Sequence, residues 1–199
     1  MIQQNVEILN QLFKNLPIKV LPGQEIRMNG DMIEELQQGE ALSLNHSKYV
    51  FVEFPSQHVP HYAERMLFDL QVAGHMPIIV HPERNAELLE HPDRLFNFVQ
   101  KGALTQITAG SVIGKFGKAI QKYTHQLIEA NQTHFVASDA HNTTSRGFYM
   151  HEAHEAIRER HGKPTSYMFM ENAHLLIDDM NVFRDEPFPV KRRKILGLF

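Results

Sequence analysis

Short apolar runs of four to six residues, rich in β-branched and aromatic side chains, alternate along this chain with longer segments whose apolar positions recur every three to four residues. No other feature restricts the fold so much. A short run of that composition suits a strand and the longer spacing suits an amphipathic helix. Regular alternation of the two is the pattern of β-α units on a parallel sheet. Five strands are expected: residues 18–21 running on toward Glu25, 49–54 (YVFVEF), 76–81 (MPIIVH), 104–108 (LTQIT) and 134–138 (HFVAS). Their near-continuous apolar character fits strands covered on both faces better than half-exposed antiparallel ones. Helices are expected over 2–14, 31–38, 60–73, 92–101, 115–130, 145–160 and 164–178. Asp31 can cap the second, Pro92 sits in the first turn of the fourth, and Gly74 and Gly102 follow two others as stops. No internal repeat or linker divides the 199 residues. One α/β domain over 1–186 is therefore expected, with a basic tail over 187–199.

The composition excludes several kinds of chemistry. The absence of cysteine rules out disulfides, thiolate zinc sites, iron–sulfur clusters and cysteine nucleophiles. No apolar run approaches the ~20 residues of a membrane span. The opening MIQQNVEILNQLF lacks the basic start and apolar middle of a signal peptide, so a cytoplasmic protein is expected. Four of the 20 basic residues are Lys191, Arg192, Arg193 and Lys194, which leaves the preceding residues with 16 basic against 23 acidic groups. A body carrying that acidic excess is a poor partner for nucleic acid, whose binding depends on cations neutralising phosphates.

The residues at the C-terminal end of each apolar run carry the chemistry. The runs lead into Gln24-Glu25, Glu53, His81-Pro82-Glu83-Arg84-Asn85, Thr108-Ala109-Gly110-Ser111 and Ser138-Asp139-Ala140-His141. In a parallel barrel or a doubly wound sheet these ends converge on one face. That brings Glu25, Glu53, His81, Asp139 and His141 together, an oxygen and nitrogen donor set suited to Mn²⁺, Fe²⁺, Zn²⁺ or Mg²⁺, with room for more than one ion. The plainer reading of each acid is a cap on the next helix, and of each histidine a local hydrogen bond. Arg84 and Arg146 come shortly after two of the candidate ligands, and guanidinium suits bidentate capture of phosphate. The alternative is that they pair locally with Glu83 and Glu152. GSVIGKFGK, residues 110–118, is glycine-rich but lacks P-loop spacing, and reads as a flexible loop near the mouth of the site. His58, His61, His151, His154, His161 and His174 have no acid at ligand spacing and read as surface or cap residues. The KRRK stretch reads as a solvated tail, with an acidic partner or a membrane surface as the alternative.

At GQE, EF, HPERN and SDAH, in that order and on these strands, the sequence closely resembles the bacterial manganese-dependent protein-tyrosine phosphatases of the polymerase-and-histidinol-phosphatase (PHP) superfamily, the capsular and exopolysaccharide tyrosine phosphatases. The resemblance runs through essentially the whole chain. It implies a distorted (β/α)7, TIM-like barrel with a multinuclear Mn²⁺ centre, with iron, zinc or magnesium as alternatives. It implies a phosphotyrosine-bearing tyrosine kinase as the partner, one that controls polysaccharide synthesis, met at a membrane-bound complex, and homo-oligomers as one assembly. Carried over position by position, Glu25, Glu53, His81, Asp139 and His141 align with metal ligands, and Arg84 and Arg146 with phosphate-contacting arginines. The family pattern opens on an HxH strand and a second strand ending in a further histidine, and neither occurs in these 199 residues. The resemblance therefore implies a barrel missing its first two strands, with exposed sheet edges. Two other readings stay open: a small-molecule phosphoesterase of the same superfamily acting on a histidinol phosphate, and a metal-poor remnant that binds without turnover.

Overall fold

Five parallel strands lie side by side in the order in which the chain makes them: β1 (Glu25–Arg27), β2 (Tyr49–Glu53), β3 (Met76–Val80), β4 (Leu104–Thr108) and β5 (Phe135–Ala137). The structure is a computed structural model that describes residues 1–190; the KRRK stretch of the expected tail lies outside the described residues. A strand that returns beside its predecessor, always in the same direction, needs a crossover each time, and the common hand of such crossovers puts the helices that lie between strands on one face. The helices are α1 (Ile2–Leu12), α2 (Met32–Gln38), α3 (Ala63–Val72), α4 (Ala86–Glu90), α5 (Pro92–Gln100), α6 (Ala109–Val112), α7 (Lys118–Glu129), α8 (Met150–His161) and α9 (Lys163–Ile177).

The period of two along each strand sorts side chains between two cores. Ile26, Val50, Val52, Ile79 and Ile107 face the helices and pack with Leu67, Leu70, Leu95, Phe98 and Leu127. Tyr49, Ile78, Leu104 and Phe135 face the other way and pack with Val182, Leu175 and Leu176. Both faces of the sheet are thus covered, and all five residues of β4 are buried, as its LTQIT run requires.

Four of the five expected strands lie within a residue or two of their expected limits, but the first does not. Residues 18–21 are not a strand, and β1 begins only at Glu25, where the chain comes into register with Phe51. Val20 is instead held by a side chain: its N–H donates to Asn10 Oδ1 at 2.8 Å and its carbonyl accepts from Asn10 Nδ2 at 2.9 Å. Proline on both sides, at 17 and 22, removes the donors a ladder would need there. α3 starts at Ala63 because Pro60 stays outside as the acceptor for the Ala63 N–H. α7 starts after Gly117, whose φ of 96° is not helical, so 115–117 belong to the preceding loop. α4 and α6 are short helices that periodicity does not reveal. Phe188 bonds to Ala130 and Gln132, and Val190 is buried, so the chain stays packed on the body through the start of the expected tail.

A buried polar network joins β4, β5 and α9. His134 Nδ1 accepts from the Thr105 N–H at 3.1 Å, Thr105 Oγ1 donates to Gln132 O, and Asn172 Nδ2 donates to the carbonyls of His134 and Phe183. A ring that accepts at Nδ1 is neutral, and burial pushes His134 down to about 3. His125 is likewise pushed down by burial, to about 4. Unfolding releases both imidazoles to an ordinary value near 6.5. Between that value and their folded values the unfolded chain binds more protons, so their contribution to stability is complete above about pH 6.5 and is lost as the pH falls. Each costs up to ~1.4 kcal/mol per pH unit in that window. Melting temperature should therefore fall steeply between about pH 6.5 and about pH 4. In His134→Asn, whose side-chain oxygen can still accept from Thr105, the slope should be shallower.

Candidate metal centre and its paired arginines

Glu25, Glu53 and His81 meet at the ends of three neighbouring strands. Glu53 shares the inward face of β2 with Tyr49 and Phe51, and the pairing of Glu25 with Phe51 and Arg27 with Glu53 puts β1's two charged residues on that same face. Glu25 opens β1 rather than closing a strand. Three donor atoms, one from each residue, all lie within 4.8 Å of one another. His81 Nε2 is 3.6 Å from Glu25 and 4.0 Å from Glu53, and Arg27 lies 3.5 Å from the other Glu53 oxygen. His81 turns the chain out of β3 with φ +37°. A non-glycine residue in that region costs free energy and persists where its surroundings fix it. Here its N–H is taken by Gln106 O at 2.7 Å, one step beyond the β3–β4 pairing.

Asp139 stands beyond β5 in the same left-handed conformation, φ +48°, with its side chain only 6 % exposed. Its Oδ2 forms an ion pair with Arg84 Nη2 at 2.8 Å and accepts a hydrogen bond from Arg146 Nη2 at 2.6 Å. The local pairings with Glu83 and Glu152 do not form; one carboxylate holds both guanidinium groups. The loop that carries Arg146 is folded around Asn142, whose Oδ1 accepts from the N–H groups of Thr144 and Arg146, while the His141 N–H donates to Arg146 O. His141 Nδ1 lies 2.9 Å from the Asp139 carbonyl, which assigns the proton to Nδ1 and leaves the Nε2 lone pair available. Arg146 Nε is buried with no acceptor among the described residues.

The HPERN segment divides its labour. Asn85 caps α4 by accepting from the Leu88 N–H, and donates to the carbonyls of Pro55 and His58, tying this loop to the one after β2. Glu83 is fully buried, and its Oε1 accepts from Thr108 N, Thr108 Oγ1 and Ser111 Oγ, at 3.0, 2.8 and 2.7 Å. It therefore clamps the turn after β3 to the end of β4. Sequence reading assigned no such role to Glu83; the signal for it was an acid between two site residues, His81 and Arg84, with no exposed face to occupy. Of the histidines expected at the surface, His58, His61, His151 and His174 are exposed, whereas His154 bonds Ser166 and His161 lies 2.8 Å from His125.

All seven candidate residues line one cavity of about 330 Å³, with Phe54, Ser56, Val80, Pro82 and Asn85 completing the wall. Two carboxylates and an imidazole at this spacing are an oxygen-rich donor set that fits a divalent cation. The same closeness makes the two acids repel when no cation lies between them. The cavity thus joins a region that attracts a cation to one that offers guanidinium donors to an anion.

Residues 2–178 match the family model for capsular polysaccharide synthesis proteins CpsB/CapC. The chain is 48 % identical over 186 residues to the tyrosine-protein phosphatase YwqE of Bacillus subtilis, covering 94 % of this chain and 73 % of that protein. It is 35 % identical over 190 residues to CapC of Staphylococcus aureus, covering 95 % and 74 % respectively. It is 31 % identical over 163 residues to the tyrosine-protein phosphatase CpsB of Streptococcus pneumoniae, covering 79 % and 67 %. Crystal structures of YwqE from B. subtilis and CpsB from S. pneumoniae, described as unique metal-dependent tyrosine phosphatases, provide a chain that superposes with a TM-score of 0.94 at 46 % identity, over 96 % of this chain and 78 % of that one.

Glu25→Gln removes one charge from a repelling pair, so its melting temperature without metal should equal or exceed that of the parent. Its affinity for added Mn²⁺, read by calorimetry, should fall by more than about tenfold. Glu83→Ala strands the buried Thr108 N–H and one of the Thr108 and Ser111 hydroxyls, the other being able to donate to its neighbour 2.7 Å away, and should cost roughly 3 kcal/mol in chemical denaturation, whereas Glu83→Gln, which keeps an acceptor at Oε1, should lose less.

Proposed function

The chain belongs to the CpsB/CapC family of capsular polysaccharide synthesis proteins, and from that premise we propose that it is a metal-dependent protein-tyrosine phosphatase. The observation that carries this reading is the pair of guanidinium groups on Asp139, one of them with a buried and unused Nε–H, facing a carboxylate–imidazole group across a single cavity. Glu25, Glu53 and His81 would hold the ion, with Asp139 Oδ1 and His141 Nε2 as further ligands, and Mn²⁺ is the ion of choice. A bound divalent cation supplies Lewis acidity toward a phosphoryl oxygen and lowers the pKa of a coordinated water.

The chain's own groups account for the rest of the reaction. Hydrolysis forms a bond from phosphorus to a water oxygen, breaks the bond to the tyrosine oxygen, and spreads negative charge over the equatorial oxygens on the way. Arg84 and Arg146 direct N–H groups at those oxygens and stabilise that charge. Asp139 balances their charge and fixes where their planes lie. No cysteine exists to form a phosphorylated thiol. Glu25 and His141 are exposed at the rim, which suits a phosphotyrosine on an extended peptide better than a small ester enclosed on all sides. The partner on this reading is a tyrosine kinase that controls polysaccharide export, met on the cytoplasmic side. The sequential order of the strands supports an arc of the distorted (β/α)7 barrel, with residues 1–186 as one domain. No helix among the described residues is long and apolar enough to cross a membrane.

Phosphate release from a phosphotyrosine peptide should require Mn²⁺ and stop with chelator. Arg84→Ala should lose about a hundredfold or more in rate while its metal-induced rise in melting temperature stays unchanged. Arg84→Lys should recover only part of the loss, because an ammonium cannot bind two oxygens in a plane. Full turnover by Arg84→Ala would overturn the reading, and faster release from histidinol phosphate than from the peptide would reassign the substrate.

A further inference from the structure

The glycine-rich loop between α6 and α7 lies outside the set of candidate site residues, yet two of its side chains lie against the scaffold of the arginines. Gly110 is bare: a Cβ there would come within 2.9 Å of Phe116 Cε2. The Lys115 N–H donates to Gly110 O at 2.8 Å, Gly114 turns the chain at φ +82°, and the Gly117 N–H returns to Gly114 O. These contacts seat the Phe116 ring against the backbone of α6. On its ring face stands Arg84, with Cζ 5.2 Å from the ring centre. The next residue back, Lys115, places Nζ 4.9 Å from the centre of the Tyr149 ring, and Tyr149 Oη donates to Thr144 O in the loop that carries Arg146.

An ion pair through one Nη to one carboxylate oxygen leaves a guanidinium free to pivot about that contact. An aromatic face beside the group restricts that freedom and is itself attractive to a cation. We propose that Phe116 is a positioning residue for phosphate binding, holding the Arg84 plane so that its remaining N–H groups face the phosphoryl oxygens. This rests on the reading of Arg84 and Arg146 as phosphate-holding groups. Gly110 is part of the device, since any side chain there displaces the ring; its φ is not among the positive ones, so alanine is compatible with the backbone.

The test uses the full chain loaded with Mn²⁺ and three variants: Phe116→Leu, which keeps apolar bulk and removes the ring; Phe116→Tyr, which keeps the ring; and Gly110→Ala. KM and kcat for a phosphotyrosine peptide are read beside the affinity for inorganic phosphate by calorimetry. Phe116→Leu and Gly110→Ala should each weaken phosphate and raise KM by about 2- to 30-fold, with metal affinity unchanged. Phe116→Tyr should match the parent. In an Arg84→Ala background, Phe116→Leu should have no further effect on phosphate affinity, because the two act as one unit. Parent-like phosphate affinity in Phe116→Leu and Gly110→Ala, or an effect of Phe116→Leu that persists fully without Arg84, overturns the proposal. If instead Arg84→Ala itself binds phosphate and turns over as the parent does, the functional reading fails, whatever Phe116 does.

Discussion

One carboxylate organises the positive half of the cavity. Asp139 is nearly buried and forms ion pairs with two arginines through a single oxygen. A buried carboxylate is costly unless paired, and two like charges brought together are costly unless something lies between them. Each group makes the placement of the others tolerable. The arrangement also explains why Arg84 does not take the neighbouring acid in sequence. Side chains at i and i+1 do not face each other on a helical turn, and Glu83 and Arg84 point away from one another on the turn after β3. Glu83 goes inward to Thr108 and Ser111, and Arg84 goes outward to Asp139.

Backbone strain coincides with these same positions. His81 and Asp139, each at or just beyond the end of a strand, both have positive φ without being glycine. Such a conformation survives only where the surrounding bonds over-determine it. His81 has its N–H on Gln106 O and the clamped turn behind it, while Asp139 has two arginines on its side chain. In both cases the turn swings the side chain out of the strand's up-and-down alternation and over the end of the sheet, where neighbouring strands deliver theirs.

Much of this was legible in the sequence because the sheet is parallel and sequential. Apolar runs long enough to be buried on both faces marked β2 to β5 to within a residue or two, and the polar residues after them had to emerge at one end. The 18–21 run failed as a strand for a local reason that periodicity does not register: prolines flank it, and Asn10 supplies the bonds a neighbouring strand would have offered. The site residues were legible as types but not as partners. Nothing in the spacing of Arg84 and Arg146, 62 positions apart by their numbers, says that they share Asp139. That pairing arises from β3 and β5 flanking β4.

The same logic separates residues that a motif presents together. In HPERN, the first residue faces the cavity, the third faces the core, the fourth spans to another strand's loop, and the fifth caps the next helix. A motif of this density is a junction between a strand, a turn and a helix, and each of its positions answers to a different neighbour. Substitution within it therefore tests different physical terms at adjacent positions. A change at Glu83 acts first on stability, because it strands buried donors, and a change at Arg84 acts first on anion binding, because Asp139 keeps the other arginine in place. The glycine-rich loop after β4 extends this division. Its glycines serve to bring an aromatic ring close to the α6 backbone, and that closeness puts the ring face, rather than solvent, against a guanidinium that would otherwise be fixed at one end only.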